Sequence, residues 1–109
     1  MAYALENEAY RKLPQYLRTH YQIEVLEKFV RTEIGGEQVN FFAKARQNGA
    51  EIVIIGESVL KQLHKQVTTA QQVYQLPVLP LVVTHYARPK LLAKLEREGI
   101  IVVQSFAWE

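Results

Sequence analysis

Glu57 is the residue of this 109-residue sequence whose position most suggests chemistry. It follows Gly56 and the unbroken β-branched run Ile52–Ile55, a pattern typical of a strand that is buried on both faces. A carboxylate at the end of such a strand is costly to bury unless a partner offsets its charge. Glu57 therefore either belongs to a binding site or simply caps and pairs locally at the end of a strand.

Basic side chains occur close to Glu57 and again near the end of the sequence. Those close to Glu57 are Lys61, His64 and Lys65, and those on one stripe of a later helical segment are Lys90, Lys94 and Arg97. Such stripes can neutralise phosphates. Glu96 and Glu98 are interspersed with the second group, which is also typical of a solvated helix face. The net charge of +2 permits contact with nucleic acid without demanding it.

Hydrophobic periodicity predicts the elements that precede Glu57. A helix is expected over 5–20, with Tyr10, Leu13 and Leu17 on its apolar stripe and a kink or break at Pro14. Residues 23–33 alternate as in a strand and are followed by a Gly35-Gly36 turn. A second strand over 39–45 leads through Asn48-Gly49, a strong hairpin signal, into the strand that ends at Glu57.

After Glu57 the period changes from that of strands to that of a helix. Ser58 is the expected cap of a helix that ends near Tyr74. Residues 79–83 predict a buried strand, parallel to the one before Glu57. A helix beginning at Pro89 and ending at Gly99, then a strand over 100–103, complete the chain. The prediction is an α/β fold with a mixed central sheet flanked by helices.

Length and composition bound the class of protein. The expectation is one domain over 1–109, and 49% apolar with 22% charged residues is typical of a soluble globular protein. The absence of cysteine excludes disulfides and thiolate metal sites, and it fits a reducing cytoplasm. The apolar runs are too short to span a membrane, and no signal-peptide pattern begins the sequence. The three histidines share no metal-ligand spacing.

The predicted order, an αβββαβ core plus a C-terminal αβ unit with a carboxylate ending the third strand, resembles the PD-(D/E)XK, or restriction endonuclease-like, nuclease superfamily. The closer resemblance is to small nuclease-like proteins, and it rests on three stretches: EQVNFFAK over 37–44, Asn48-Gly49, and IIGE over 54–57. The motif itself is short and tolerant.

The resemblance implies a magnesium site for phosphodiester hydrolysis. Family members hold the metal with acidic residues on the second strand and at the end of the third, and a lysine stands two residues after the latter. Here those positions are Asn40, Glu57 and Val59, so only Glu57 keeps its expected role. The further candidates are the Ser58 carbonyl and Glu8 as metal ligands and Lys61 as a displaced catalytic lysine. The commoner interpretation is that Asn40 is an ordinary polar residue of a strand or turn and that Lys61 and Glu8 are solvated helix residues.

Two classes of function follow. The first is a metal-dependent DNA or RNA phosphodiesterase that uses Glu57 and Lys61. The second is a degenerate nuclease-like domain, of weak or no activity, that binds nucleic acid or another protein, since a fold does not confer a function by itself. Valine at position 59 favours the second class. The basic residues Lys61, Lys65, Lys90, Lys94 and Arg97 are its candidate nucleic-acid contacts.

The last residues raise the question of assembly. Phe106 and Trp108 lie in a short tail with little sequence left to cover them. Large exposed aromatic residues are common anchors of interfaces. The expectation is that they fold back onto the sheet or form part of a homodimer contact.

Overall fold

The computed structural model describes residues 2–108. Its helices are Ala2–Tyr21 (α1), Leu63–Tyr74 (α2) and Pro89–Arg97 (α3). Its strands are Ile23–Val25 (β1), Val30–Ile34 (β2), Glu37–Gln47 (β3), Ala50–Glu57 (β4), Val78–Thr84 (β5) and Ile101–Gln104 (β6). Short 3₁₀ turns cover Leu60–Gln62 and Ser105–Trp108. The expected α/β order, three helices around a run of strands, is confirmed.

One mixed sheet joins the six strands in the order β1-β3-β4-β5-β6, and β2 lies beside β1 along the same edge of β3. Strands β2, β3 and β4 form an antiparallel meander, whereas β4, β5 and β6 run parallel. The carboxyl ends of β4, β5 and β6 therefore meet at one edge of the sheet, with Glu57 at the first of them. This is the meander followed by a parallel crossover that the change of period predicts.

The sheet is covered on both faces. Helix α1 packs on one face through a stripe of fully or nearly buried residues: Leu5, Ala9, Leu13 and Leu17. Helices α2 and α3 pack on the other face through Leu63, Ala70 and Leu95. Within β4, Ile52 and Ile54 face α1, whereas Val53 and Ile55 face α2 and α3. The β-branched run is therefore buried on both sides, as its composition predicts.

Two tight turns set the register of the meander. Asn48 and Gly49 have φ values of 54° and 79°, the left-handed pair of a two-residue hairpin between β3 and β4. Gly35, at φ 56°, joins β2 to β3, and a Cβ added there would lie 2.5 Å from the Thr69 side chain on α2. Glycine at position 35 therefore meets both a conformational and a packing requirement.

Of the kink or break expected at Pro14, the break is wrong, because α1 runs without interruption through this residue, and the kink stays a prediction. Proline removes one hydrogen bond from a helix interior. The neighbouring Leu13 and Leu17 are fully buried against the sheet, and this packing holds the helix together across the lost bond. None of the helices in the part of the chain described is both long and apolar enough to cross a membrane.

Two further predictions need correction. Residues 23–33 form two strands rather than one, because β1 pairs with residues 45–47 of β3 and β2 with residues 37–42. The residues that connect β1 to β2 leave the sheet, and Phe29 among them is buried in the core between α1 and the sheet. Ser58 does not cap α2: a 3₁₀ turn precedes that helix, and the Ser58 hydroxyl lies 3.5 Å from a Glu6 oxygen instead.

Candidate functional site

The carboxylate of Glu57 lies at the junction of β3, β4 and α2. Phe41 and Gly56 are register partners across β3 and β4, so Asn40 and Glu57 are brought side by side at the end of that pairing. Glu57 is only 2% exposed. The site expected from the sequence thus exists as a place in the fold, with Asn40 and Glu57 in direct contact.

Three N–H groups converge on the Glu57 carboxylate. Oε2 accepts the backbone N–H of Asn40 at 2.9 Å and the side-chain amide of Gln66 at 3.0 Å. Oε1 accepts the side-chain amide of Asn40 at 3.0 Å. The Tyr10 hydroxyl, from α1, donates to the Asn40 carbonyl at 2.6 Å and so holds the same strand segment. A carboxylate has about four acceptor positions. Most of those on Glu57 are therefore used within the protein.

Gln66 is the contact that sequence reasoning missed. It is 2% exposed, and its Nε2 also donates to the Gln38 carbonyl at 2.8 Å. Its Oε1 has no hydrogen-bond partner among the described residues. Gln66 falls three residues after the buried Leu63 and four before the buried Ala70, so its place on the apolar face of α2 was the available signal.

The electrostatic setting works against the charged form of Glu57. Burial raises the pKa of this carboxyl above its ordinary value of 4.5. The hydrogen bonds from Asn40 and Gln66 lower the pKa in part, while the nearby Glu6 raises it and Arg31 lowers it. Desolvation is the largest of these causes. The amide donors thus offset only part of the cost of burying the charge.

A second carboxylate, Glu6 of α1, approaches the site from the other side. It is 8% exposed, forms an ion pair with Arg31 of β2, and lies 3.5 Å from the Ser58 hydroxyl. Glu8, the α1 glutamate proposed from the sequence, instead accepts a hydrogen bond from the Trp108 indole at 3.3 Å. Glu6 lies four residues before Tyr10 and so on the apolar stripe of α1, whereas Glu8 does not. This helical spacing is the sequence signal that could have identified Glu6.

This donor set does not fit a magnesium site of the kind that the resemblance implies. Magnesium binds hard oxygen ligands that have free lone pairs. The Glu57 oxygens already accept from Asn40 and Gln66, and Glu6 is engaged by Arg31 and Ser58. Within residues 2–108, moreover, no three His, Asp or Glu side chains cluster so that they could hold a metal ion. The Asn40, Ser58 and Glu8 ligand roles remain predictions.

A polar cavity of about 550 Å³ opens beside this cluster. Lys61 lines it together with Glu57 and Asn40, so the displaced lysine lies on the same cavity as the carboxylate. Lys65 lines it as well, but its ammonium group lies 3.4 Å from Glu37 in an ion pair. The cavity therefore combines two exposed lysines, one of them ion-paired with Glu37, with the buried carboxylate of Glu57.

The remaining basic candidates lie on a different element. Lys90, Lys94 and Arg97 are exposed on α3, which packs against the face of the sheet opposite α1. They do not line the Glu57 cavity among the residues that the structure describes. The two basic groups that the sequence suggested therefore lie on different elements of the fold.

Comparison with known proteins identifies the fold. No family model matches the chain, and no curated protein matches it. Among solved structures, it is similar to a repair endonuclease from Pyrococcus abyssi, with 12% identity, a TM-score of 0.53, and coverage of 86% of this chain and 45% of that one. An EndoMS–double-stranded DNA complex matches with 15% identity, a TM-score of 0.49, and coverage of 86% and 43%. The chain spans less than half the length of either protein. Its mixed α/β fold is similar to that of part of the Pyrococcus repair endonuclease.

Proposed function

We propose that this chain is a degenerate nuclease-like domain of the PD-(D/E)XK type that binds nucleic acid and cleaves it weakly or not at all. The nuclease-like fold supports the first half of the proposal. The second half rests on one observation: the Glu57 carboxylate is satisfied by three N–H groups of the protein itself. A carboxylate that already accepts three hydrogen bonds within the protein has few acceptor positions left for a hard cation.

Val59 supports the same conclusion. In the family that the sequence resembles, a lysine stands two residues after the third-strand carboxylate, and that position here is Val59, which lies between the end of β4 and the 3₁₀ turn. Valine cannot donate a proton or hold a water molecule, and Val59 is 48% exposed. The proposal is thus supported by two features: most acceptor positions of Glu57 are occupied within the protein, and a valine stands where the resemblance leads one to expect a lysine.

The test measures binding and cleavage separately. Labelled DNA and RNA are titrated with the protein in a chelator, and the same substrates are then incubated with Mg²⁺ or Mn²⁺. The proposal predicts retarded nucleic acid with no products or only traces of them, and identical behaviour for Glu57→Gln. Metal-dependent products that are lost in Glu57→Gln would establish the alternative.

That alternative, an active metal-dependent phosphodiesterase, is favoured by the position of Lys61 on the same cavity as Glu57. In that case Val59→Lys should increase cleavage, because it returns a cation to the expected position at an exposed site. Lys61→Met should decrease it. Under the degenerate-domain proposal, neither Val59→Lys nor Lys61→Met changes the amount of cleavage.

A further inference from the structure

We propose that Tyr86 and Phe106 form a stacking platform for unpaired nucleobases at the carboxyl edge of the sheet. The inference rests on the proposed nucleic-acid binding and adds the class of ligand. Tyr86 follows the end of β5 by two residues, and Phe106 follows the end of β6 by two. Thr84 and Gln104 are register partners in these parallel strands. The two aromatic residues thus leave the sheet at equivalent positions on neighbouring strands.

Both rings are presented to solvent. Tyr86 is 65% exposed and Phe106 is 61% exposed, the two largest values among the large hydrophobic residues of the described chain. Trp108, by contrast, packs against the α1 core. Exposure of two aromatic residues at matching positions is not explained by packing within this fold, and it suits ligands with planar faces.

Two hydrogen bonds link the residues that flank the rings across the two strand ends. His85 Nδ1 and Ser105 Oγ lie 3.0 Å apart. The Ala87 N–H donates to Gln104 Oε1 at 2.8 Å. A preorganised platform loses little conformational entropy when a ligand stacks on it.

The charge beside the rings selects a polyanion. Arg88 and Lys90 follow Tyr86 within four residues, at the beginning of α3, and both are exposed. Glu57 and Val82 are register partners, so the Glu57 cavity and its Lys61 lie at the same edge of the sheet. If the bases of a single-stranded nucleic acid stack on Tyr86 and Phe106, its phosphates lie near cationic side chains at this edge of the sheet.

The same charge argues against a second copy of the chain as the occupant. In a two-fold dimer each patch faces its own copy. A contact through this edge would bring Arg88 and Lys90 of one protomer towards the same cations of the other. Single-stranded nucleic acid, with planar bases and anionic phosphates, is complementary to the edge in both respects.

Fluorescence anisotropy tests the platform. The probes are a labelled single-stranded DNA of about 15 nucleotides, long enough to cover one small binding domain, and the same sequence as a duplex. Tyr86→Ala and Phe106→Ala should each weaken binding of the single strand about tenfold, and Tyr86→Phe should bind as the wild type does. Val73→Ala is the matched control, since Val73 is 54% exposed near the carboxyl end of α2.

A second readout distinguishes stacking from attraction of charge. Tyr86→Trp, compared with the wild type, should gain tryptophan fluorescence that the single strand quenches. If the protein binds nucleic acid but both alanine variants bind the single strand as the wild type does, the platform is overturned and the proposed function stands. If the wild type binds neither probe even at low salt, both are overturned.

Discussion

At the scale of single residues, the hydrogen bonding of the Glu57 carboxylate distinguishes this site from that of a metal-dependent nuclease. Asn40, which stands where an acidic residue is expected, donates two hydrogen bonds to Glu57 rather than sharing a cation with it. Gln66 adds a third from α2. The two amide side chains occupy the surroundings of the carboxylate that a cation and its waters would otherwise fill.

Glu57→Gln should leave the free energy of unfolding unchanged or raise it by up to about 1 kcal/mol at neutral pH. The amide oxygen can accept from Asn40 and Gln66, and a rotated Asn40 amide can accept from the new NH₂ group. Chemical denaturation measures the effect. A loss of about 3 kcal/mol would show that the protein depends on the Glu57 charge.

The same variant should change how stability depends on pH. Because burial raises the pKa of Glu57, the folded state holds its proton to higher pH than the unfolded chain does. Its contribution to stability is thus present below the ordinary carboxyl pKa of 4.5 and is lost as pH rises through the raised value. Thermal melts over this interval should show a decline in the wild type that Glu57→Gln reduces. A wild type that gains stability relative to the variant would contradict the sign.

Gln66→Leu should lower the free energy of unfolding by about 2–3 kcal/mol, because it leaves the buried Glu57 oxygen and the Gln38 carbonyl each short of a donor. Gln72→Leu, at an exposed position of the same helix, is the control. In the Glu57→Gln background the cost should be smaller, since no charge is then left without its donor. Equal costs in the two backgrounds would contradict the coupling between Gln66 and Glu57.

At the scale of elements, the close approach of three strands positions the site. Gly56 lies between Phe41 of β3 and Leu81 of β5, and a Cβ on it would come within 3.0 Å and 3.1 Å of their side chains. Gly56→Ala should therefore destabilise the protein by about 1–3 kcal/mol. It should also displace the end of β4 that carries Glu57. Unchanged melting temperature in this variant would show that the neighbours can move.

The elements themselves were predictable from local pattern, but the way they meet was not. Alternation and turn residues placed β3, β4, β5 and both hairpin turns within a few residues of their observed bounds. The continuity of α1 through Pro14 and the division of residues 23–33 depend on packing against the sheet. Likewise, Glu57 and Asn40 were found by motif, whereas Glu6 and Gln66 are recognisable only once the buried faces of their helices are known.

At the scale of the whole molecule, the C-terminal aromatics divide between two environments. Trp108 packs against the core between α1 and the sheet and donates a hydrogen bond to Glu8. For this residue, folding back is the one of the two expected outcomes that the structure shows. Phe106 stays exposed at an edge that also carries Arg88 and Lys90. The single-domain organisation and the cytoplasmic location remain predictions, and a homodimer contact is the alternative outcome of a mass measurement.

Light scattering should give the mass of one 12.6 kDa chain, because like charges oppose pairing through the exposed aromatic edge. Phe106→Ala should leave that mass unchanged. A mass of about two chains that falls to one in Phe106→Ala would instead assign this edge to a dimer contact, and the nucleobase platform would then lose its free surface.

The most direct test of the central claim is a calorimetric titration of the wild-type protein with Mn²⁺, with Glu57→Gln as its control. If the Glu57 carboxylate is satisfied by Asn40 and Gln66, the titration gives no binding heat and Mn²⁺ does not change the melting temperature. Saturable binding of Mn²⁺ that disappears in Glu57→Gln would contradict the account, because it would show a metal site built on this carboxylate.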